Sequence, residues 1–307
     1  MDPLSDVLAL LRIEALVSAR LEAGGDWALR FPAQPHIKFG AALRGGYWLT
    51  MDGETPVRIE AGDSYLMTDC PGYVLASDPE LPAVDGAELY RAADGGAVRY
   101  QGDEVLVLGG GFLLDEQNGG LLKDVLPPLV HIPGGPSSSA ILHATLQLFE
   151  HELGNRRMGS DVVMSRMGDI LLVQALRAYV AGDAPSGWLG ALGDARIGAA
   201  LRLMHGEVGR NWTVEEIAAE VGMSRSTFAR RFRQRVGASP LDYLLRWRMH
   251  LARHELRKGT TSIAGIAYRI GYSSESAFAN AFKRTFGQAP RRYWKASIGS
   301  AAGSMAR

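Results

Sequence analysis

Ile217-Ala218-Ala219-Glu220-Val221-Gly222-Met223-Ser224 and Ile266-Ala267-Tyr268-Arg269-Ile270-Gly271-Tyr272-Ser273 are one pattern written twice, 49 residues apart. The offset then becomes 50: Phe228 pairs with Phe278, Phe232 with Phe282, Gly237 with Gly287, Pro240 with Pro290 and Tyr243 with Tyr293. Each copy reads as a short helix, a glycine turn and a second helix. Thr213-Val214-Glu215-Glu216 is a capping box, in which the Thr hydroxyl caps helix Val214–Val221 and Glu216 reaches back to satisfy the cap. Gly222 supplies a left-handed end, Ser224 caps the next helix, and Phe228 and Phe232 face inward one turn apart. In the second copy Ser262 or Thr261 caps Ile263–Ile270, Gly271 ends it, and Ser273 or Ser274 starts a helix with Phe278, Phe282 and Phe286 as its inner stripe. Two helices joined by a three-residue turn, the second with a polar outer face, make a helix-turn-helix.

The outer faces differ between the copies. The first offers Arg225, Ser226, Ala229, Arg230 and Arg233; the second offers Glu275, Ser276, Ala279, Asn280 and Lys283. Between them, Leu241–Lys258 reads as a linker helix of about 25 Å. With the helix diameters added, it can hold two reading helices about one DNA turn apart, on the order of 34 Å. Charge points the same way. The 307 residues carry no net charge, yet residues 1–190 hold 13 Lys/Arg against 25 Asp/Glu, and residues 191–307 hold 20 against 8. A split this sharp suits one half that meets a polyanion and one that does not.

The acidic half has a different texture. Pro3 to Leu21 is strand-like or short helical, with an ambiguous period. From Trp27 to Asp115 short apolar runs alternate with turn signals such as Asp52-Gly53, Gly62-Asp63 and Pro71-Gly72, the spacing of an all-β sandwich or barrel. After Pro127-Pro128 the period becomes helical, over Ser137–Leu153 and Val162–Ala181, and residues 182–187 read as a linker. The expected domains are 1–130, 131–187 as a helical dimerisation or linker region, 188–296 with the two helix-turn-helix motifs, and a disordered tail, 297–307. The longest apolar runs are strand-sized, so no membrane span is expected. The acidic start lacks the basic opening of a secretory signal, and a single cysteine, Cys70, fits a reducing cytoplasm.

Ile266–Tyr293, with Gly271-Tyr272-Ser273-Ser274, Phe278-Ala279-Asn280-Ala281-Phe282-Lys283-Arg284 and Gly287-Gln288-Ala289-Pro290, closely resembles the signature of AraC/XylS-type transcriptional regulators. The match runs from about Ile197 to Lys295. It implies double-stranded DNA as partner, with base reading by Ser226 and Arg230, flanked by Arg225 and Ala229, and by Glu275, Ser276, Ala279 and Asn280. Many relatives are basic at the Asn280 position, so a weaker or different second half-site is expected. Arg230 suits guanine O6/N7 and Asn280 suits adenine N6/N7. Ser224, Arg231, Arg235, Lys283 and Arg284 are read as phosphate contacts or solvated charge.

Trp27–Asp115 is similar to the cupin-type sensor domain that precedes this module in many family members. Metal-binding cupins carry clustered histidines; here Tyr73 stands where a His often does and His36 is isolated, so no metal or other cofactor and no catalytic site are expected. The resemblance leaves the barrel as a pocket for a small-molecule effector, with His36, Trp48, Tyr65 and Tyr73 as candidate lining, or as a structural remnant. The two helices after it pair subunits into a homodimer or pack on their own barrel. RNA polymerase is a further partner if the protein activates. Rival readings are a constitutive DNA-binding protein whose front half only dimerises, and a cupin enzyme fused to a DNA module. Gly109-Gly110-Gly111 has no Lys-Ser/Thr after it and reads as a bulge or turn. His250 and His254 have zinc-pair spacing but no evident third ligand, and Cys70 has no partner cysteine.

Overall fold

The computed structural model describes residues 2–296 except 12, 69, 94–95, 115–118, 124, 135–139, 156 and 183–186, with the side chains of 14–18 also left aside. The expected tail 297–307, the helix start at Ser137 and most of the 182–187 linker lie outside the described residues. In chain order the elements are α1 (Pro3–Leu10), β1 (Ile13–Ala23), β2 (Ala28–Phe31), β3 (Ile37–Arg44), β4 (Tyr47–Met51), β5 (Val57–Ile59), β6 (Ser64–Met67), β7 (Tyr73–Ala76) and β8 (Val84–Asp85). Then come α2 (Gly86–Ala92), β9 (Ala97–Tyr100), β10 (Val105–Leu114), α3 (Gly120–Lys123), β11 (Leu129–Ile132), α4 (Ala140–Gly154) and α5 (Ser160–Ala181). The rest is helical: α6 (Gly187–Ala191), α7 (Ala195–Gly206), α8 (Val214–Glu220), α9 (Arg225–Val236), α10 (Pro240–Lys258), α11 (Ile263–Arg269) and α12 (Glu275–Phe286).

These elements form two compact units, Leu11–Pro185 and Ser186–Arg307, the latter joined by Met1–Leu10. The expected first domain is 1–130; by contacts Met1–Leu10 group with the helical unit. The ambiguous opening resolves into a helix followed by a strand, and the helix packs on α7 and α10. The reason is its apolar stripe: Pro3, Leu4, Val7 and Leu10 are all buried.

In the β-rich unit a six-stranded sheet, ordered β11-β6-β3-β10-β1-β9, faces a five-stranded sheet, ordered β5-β4-β7-β2-β8. The architecture is cupin-like, but the two sheets remain separate and do not close into a continuous cylinder. Alternation sends Leu21, Ala42, Tyr65 and Val107 of one sheet against Leu29, Leu49, Tyr73 and Leu75 of the other. Gly109-Gly110-Gly111 is neither turn nor bulge. It runs in register with β3, Gly109 opposite Gly40 and Gly111 opposite Lys38. The irregularity falls on the neighbouring strand, where the β1 register shifts between Leu16 and Ala19 against these glycines. One face of α5 packs on β1, β6 and β11, with Leu171, Leu172 and Ala175 buried. On the outer side Ile141 and Leu148 of α4 and Val162, Val163 and Ile170 of α5 stay exposed.

The helical unit has two cores, one per helix-turn-helix. Ile197, Leu201, Ile217, Phe228, Phe232 and Leu244 form the first. Met249, Leu256, Ile266, Phe278, Phe282 and Tyr293 form the second. The linker helix α10 therefore contributes Leu244 to one core and Met249, Ala252 and Leu256 to the other.

Candidate functional site

The first helix-turn-helix is α8 and α9, and its caps are those the sequence spells. Thr213 and Glu216 close a reciprocal capping box, and Ser224 accepts from the Thr227 amide. Hydrogen bonds from the Thr213 amide and hydroxyl hold the Glu216 carboxyl below its ordinary pKa. Gly222 turns the chain at φ 64°. The Arg196 guanidinium donates to the Gly222 carbonyl, pinning the turn to α7. Asp194 ties the other end: it caps α7 through the Arg196 and Ile197 amides, and Arg231 of α9 donates to its Oδ2 at 2.7 and 3.1 Å. Burial alone would raise the Asp194 carboxyl; the Ile197 amide and the Arg231 guanidinium outweigh it and hold the pKa below the usual range.

The second motif repeats the plan. Ser262, rather than Thr261, caps α11, and Ser274, rather than Ser273, caps α12 by accepting from the Ala277 amide. Ser274 is thus the counterpart of Ser224, so the extra residue of the second copy lies inside its turn. From there on the outward positions correspond one for one at an offset of 50. Arg225 matches Glu275, Ser226 matches Ser276, Ala229 matches Ala279, and Arg230 matches Asn280. The alanines are partly buried and the other six are exposed. Arg225 lies 3.2 Å from Glu215 of α8. Lys283 and Arg284 are exposed. Arg231 and Arg235, by contrast, lie 2.7 and 3.7 Å from the Asp194 carboxylate.

A joint behind these faces holds the two motifs together. Arg248 of α10 donates to the carbonyls of Val208 and Arg210 at 2.8 and 2.7 Å, gripping the turn that follows α7. That turn lies on the end of α11: a Cβ on Gly271 would stand 2.6 Å from the Gly209 carbonyl oxygen, and one on Gly209 would stand 2.7 Å from the Arg269 carbonyl oxygen. Gly271 also needs its freedom at φ 87°. Two backbones touch here because neither glycine carries a side chain.

In the β-rich unit His36, Tyr65 and Tyr73 line a cavity of about 500 Å³. Trp48, also expected there, is absent from its lining. It alternates with the inward Tyr47 and Leu49, and Arg58 packs over its ring at 5.6 Å. The cavity floor is the glycine run. A Cβ on Gly40 would overlap the Tyr65 ring, one on Gly111 would stand 2.5 Å from His36 Cδ2, and one on Gly109 would stand 3.6 Å from Lys38 Nζ. Cys70 is buried on the same wall, and burial pushes its thiol pKa up. Burial, with Lys38 and Lys123 nearby, lowers the pKa of His36.

Comparison with known proteins agrees with this geometry. Residues 2–181 match the family described as Cupin, and residues 217–296 match a helix-turn-helix domain. The chain is 43% identical over 299 residues to an AraC-like transcription regulator of Streptomyces lividans, covering 96% of this chain and 98% of that one. The chain belongs to the AraC-like transcription regulators. The regulator is also 30% identical to the HTH-type transcriptional regulator AlkR of Acinetobacter baylyi, over 95% of its own length and 99% of that chain. A solved structure of an AraC-type regulator from Chromobacterium violaceum covers 35% of the regulator and 96% of its own chain, at 29% identity and a TM-score of 0.33. The regulator binds DNA through its helix-turn-helix domain, and none of its helices, among the described residues, is long and apolar enough to cross a membrane.

Some of what organises the regulator's sites carries no motif. Arg248, Arg196 and Gly209 look like any linker arginine, helix arginine or loop glycine, because their partners are backbone carbonyls 26 to 60 residues away. Lys38 sits in an alternating strand where a lysine ordinarily faces water. A signal existed only in the three glycines opposite it.

Proposed function

We propose that the regulator reads a two-part DNA site with α9 and α12 in successive major grooves, and that a small-molecule effector held in the β-rich unit controls this binding. The observation that carries the DNA reading is the one-for-one match of two exposed faces, Arg225-Ser226-Ala229-Arg230 and Glu275-Ser276-Ala279-Asn280, on helices joined by a single linker helix. Arg230 contacts a guanine and Asn280 an adenine; Ser224, Lys283 and Arg284 contact phosphates. A footprint of the full chain on its operator tests this: protection of two segments about one helical turn apart supports it, and protection of a single segment overturns it.

The effector reading rests on the cavity, whose volume lies within the roughly 300–1,000 Å³ of ligand sites. It takes binding, not catalysis, to be the cavity's work. A homodimer is the natural state: the exposed apolar residues Ile141, Leu148, Val162, Val163 and Ile170 lie along α4 and α5, and a face of this kind is covered by association. The cytoplasm is its place of action, and RNA polymerase is its further partner at promoters it activates. Sedimentation of the full chain checks the dimer; a monomer at micromolar concentration rejects it.

A further inference from the structure

The cavity's inner wall is built from inward positions of three neighbouring strands. β3 contributes Lys38, β10 contributes Val107, Gly109 and Gly111, and β6 contributes Tyr65, whose ring covers Gly40 of β3. Without side chains of their own, these glycines make room for others: the Tyr65 ring lies over Gly40 and His36 over Gly111. Over Gly109 the space is taken by the end of the Lys38 chain, whose Nζ is 3.6 Å from where a Cβ would stand.

No ion pair or hydrogen bond reaches Lys38 from the described residues, and none of the described lining residues is acidic. Arg91 adds a second cation at the exposed edge of the lining. Lys38 is partly buried, and that burial lowers the pKa of its ammonium. A cation drawn part-way out of water without a counter-charge is costly, and folded proteins pair such groups. The opposite wall is apolar and aromatic: Phe31 stacks on Tyr73 at 5.0 Å and meets Tyr90 at 6.0 Å. One end of the cavity therefore calls for negative charge and the other for a ring.

We propose that this cavity takes a small organic acid, a carboxylate on an apolar ring-bearing body, with the carboxylate on the Lys38 ammonium and the ring between Phe31, Tyr73 and Tyr90. The assignment rests on the cavity being the effector site. It adds a charge and a shape to that reading, and it makes Lys38 the residue that separates acids from their neutral analogues.

The test is calorimetric titration of the full chain with phenylacetate and 3-phenylpropionate, each beside its own amide. The acids bind saturably and the amides bind about tenfold or more weakly, the difference a charge-assisted hydrogen bond supplies. Lys38→Met brings acid and amide to the same affinity, and Gly109→Val, which fills the space beside the Lys38 ammonium, removes both. Lys38→Gln, read beside Lys38→Met, guards against a folding defect peculiar to one replacement. Equal affinity of acid and amide in the unaltered chain overturns the anion assignment and leaves the effector reading standing. No saturable binding of any of the four compounds overturns both.

Discussion

The Asp6 carboxylate lies 3.2 Å from Nδ1 of His205, so the first turns of the chain are bonded into the core of the DNA-binding unit. On its other side His205 Nε2 is 2.8 Å from the Tyr243 hydroxyl, and the ring stacks on Trp247 at 4.2 Å. A neutral imidazole fits both bonds: Nδ1–H donates to the carboxylate, and Nε2 accepts from Tyr243. Asp6→Ala leaves that N–H buried without a partner. The expected loss is about 1–3 kcal/mol in urea unfolding of the full chain. A loss within error of zero would show that the pair contributes nothing.

The same histidine makes stability depend on pH. Burial pushes its pKa down to about 3, against about 6.5 in an unfolded chain. Between those values the unfolded state binds more protons. Stability is therefore full above about pH 6.5 and falls as pH drops toward 3, by up to about 1.4 kcal/mol per unit for this one group. His250, pushed to about 3 by burial and then by Arg253 and Arg246, adds to the slope in the same direction. His205→Gln, whose amide can still donate to Asp6 and accept from Tyr243, makes the slope between pH 6.5 and 4.5 shallower. An unchanged slope refutes the attribution.

The two reading faces differ in chemistry at their central position, Arg230 against Asn280. Arg230→Ala is expected to lose about 1–3 kcal/mol at one base pair and to relax specificity there. Asn280→Ala is expected to lose less. Titrations against operator variants, one base pair at a time, decide it; equal sensitivity in both halves contradicts an asymmetric site.

Arg231 and Lys283 carry the same charge but not the same surroundings. Arg231 is held by Asp194 at 2.7 Å, whereas Lys283 is exposed on α12. Lys283→Ala reduces the dependence of log K on log salt by about 1, as a lost phosphate contact does. Arg231→Ala leaves that slope alone and lowers stability instead, since the capping Asp194 loses a partner. A reduced salt slope for Arg231→Ala would place it on the phosphates.

The Gly209–Gly271 contact holds the turn after α7 against the end of α11, and under the proposed two-part reading it is expected to set the spacing of the half-sites. Gly271→Ala puts a Cβ 2.6 Å from the Gly209 carbonyl oxygen in a left-handed residue and is expected to cost more than about 1 kcal/mol of stability. Arg248→Met frees the Val208 and Arg210 carbonyls. One base pair inserted between the half-sites then weakens binding less than it does for the unaltered protein, because the motifs are no longer locked in spacing. An equal penalty in both would place the rigidity in α10 alone.

By itself, the sequence determined the elements that depend on near neighbours. Caps at Thr213 and Ser224, glycine ends at Gly222 and Gly271, and phenylalanines one turn apart are local chemistry, and the repeat doubled their weight. The β-rich texture of the first half and the helices after it were legible for the same reason: period and turn residues are read within a dozen positions. Tertiary structure decided what depends on distant strands and carbonyls. It took α1 out of the β-rich unit, because a buried stripe shows that it needs a partner without naming one. It turned Trp48 outward and brought Lys38 against Gly109, because the facing strand is about 70 residues away. It also put Arg248 and two ordinary glycines in charge of the joint, because a backbone carbonyl is present at every residue and marks none of them in the sequence.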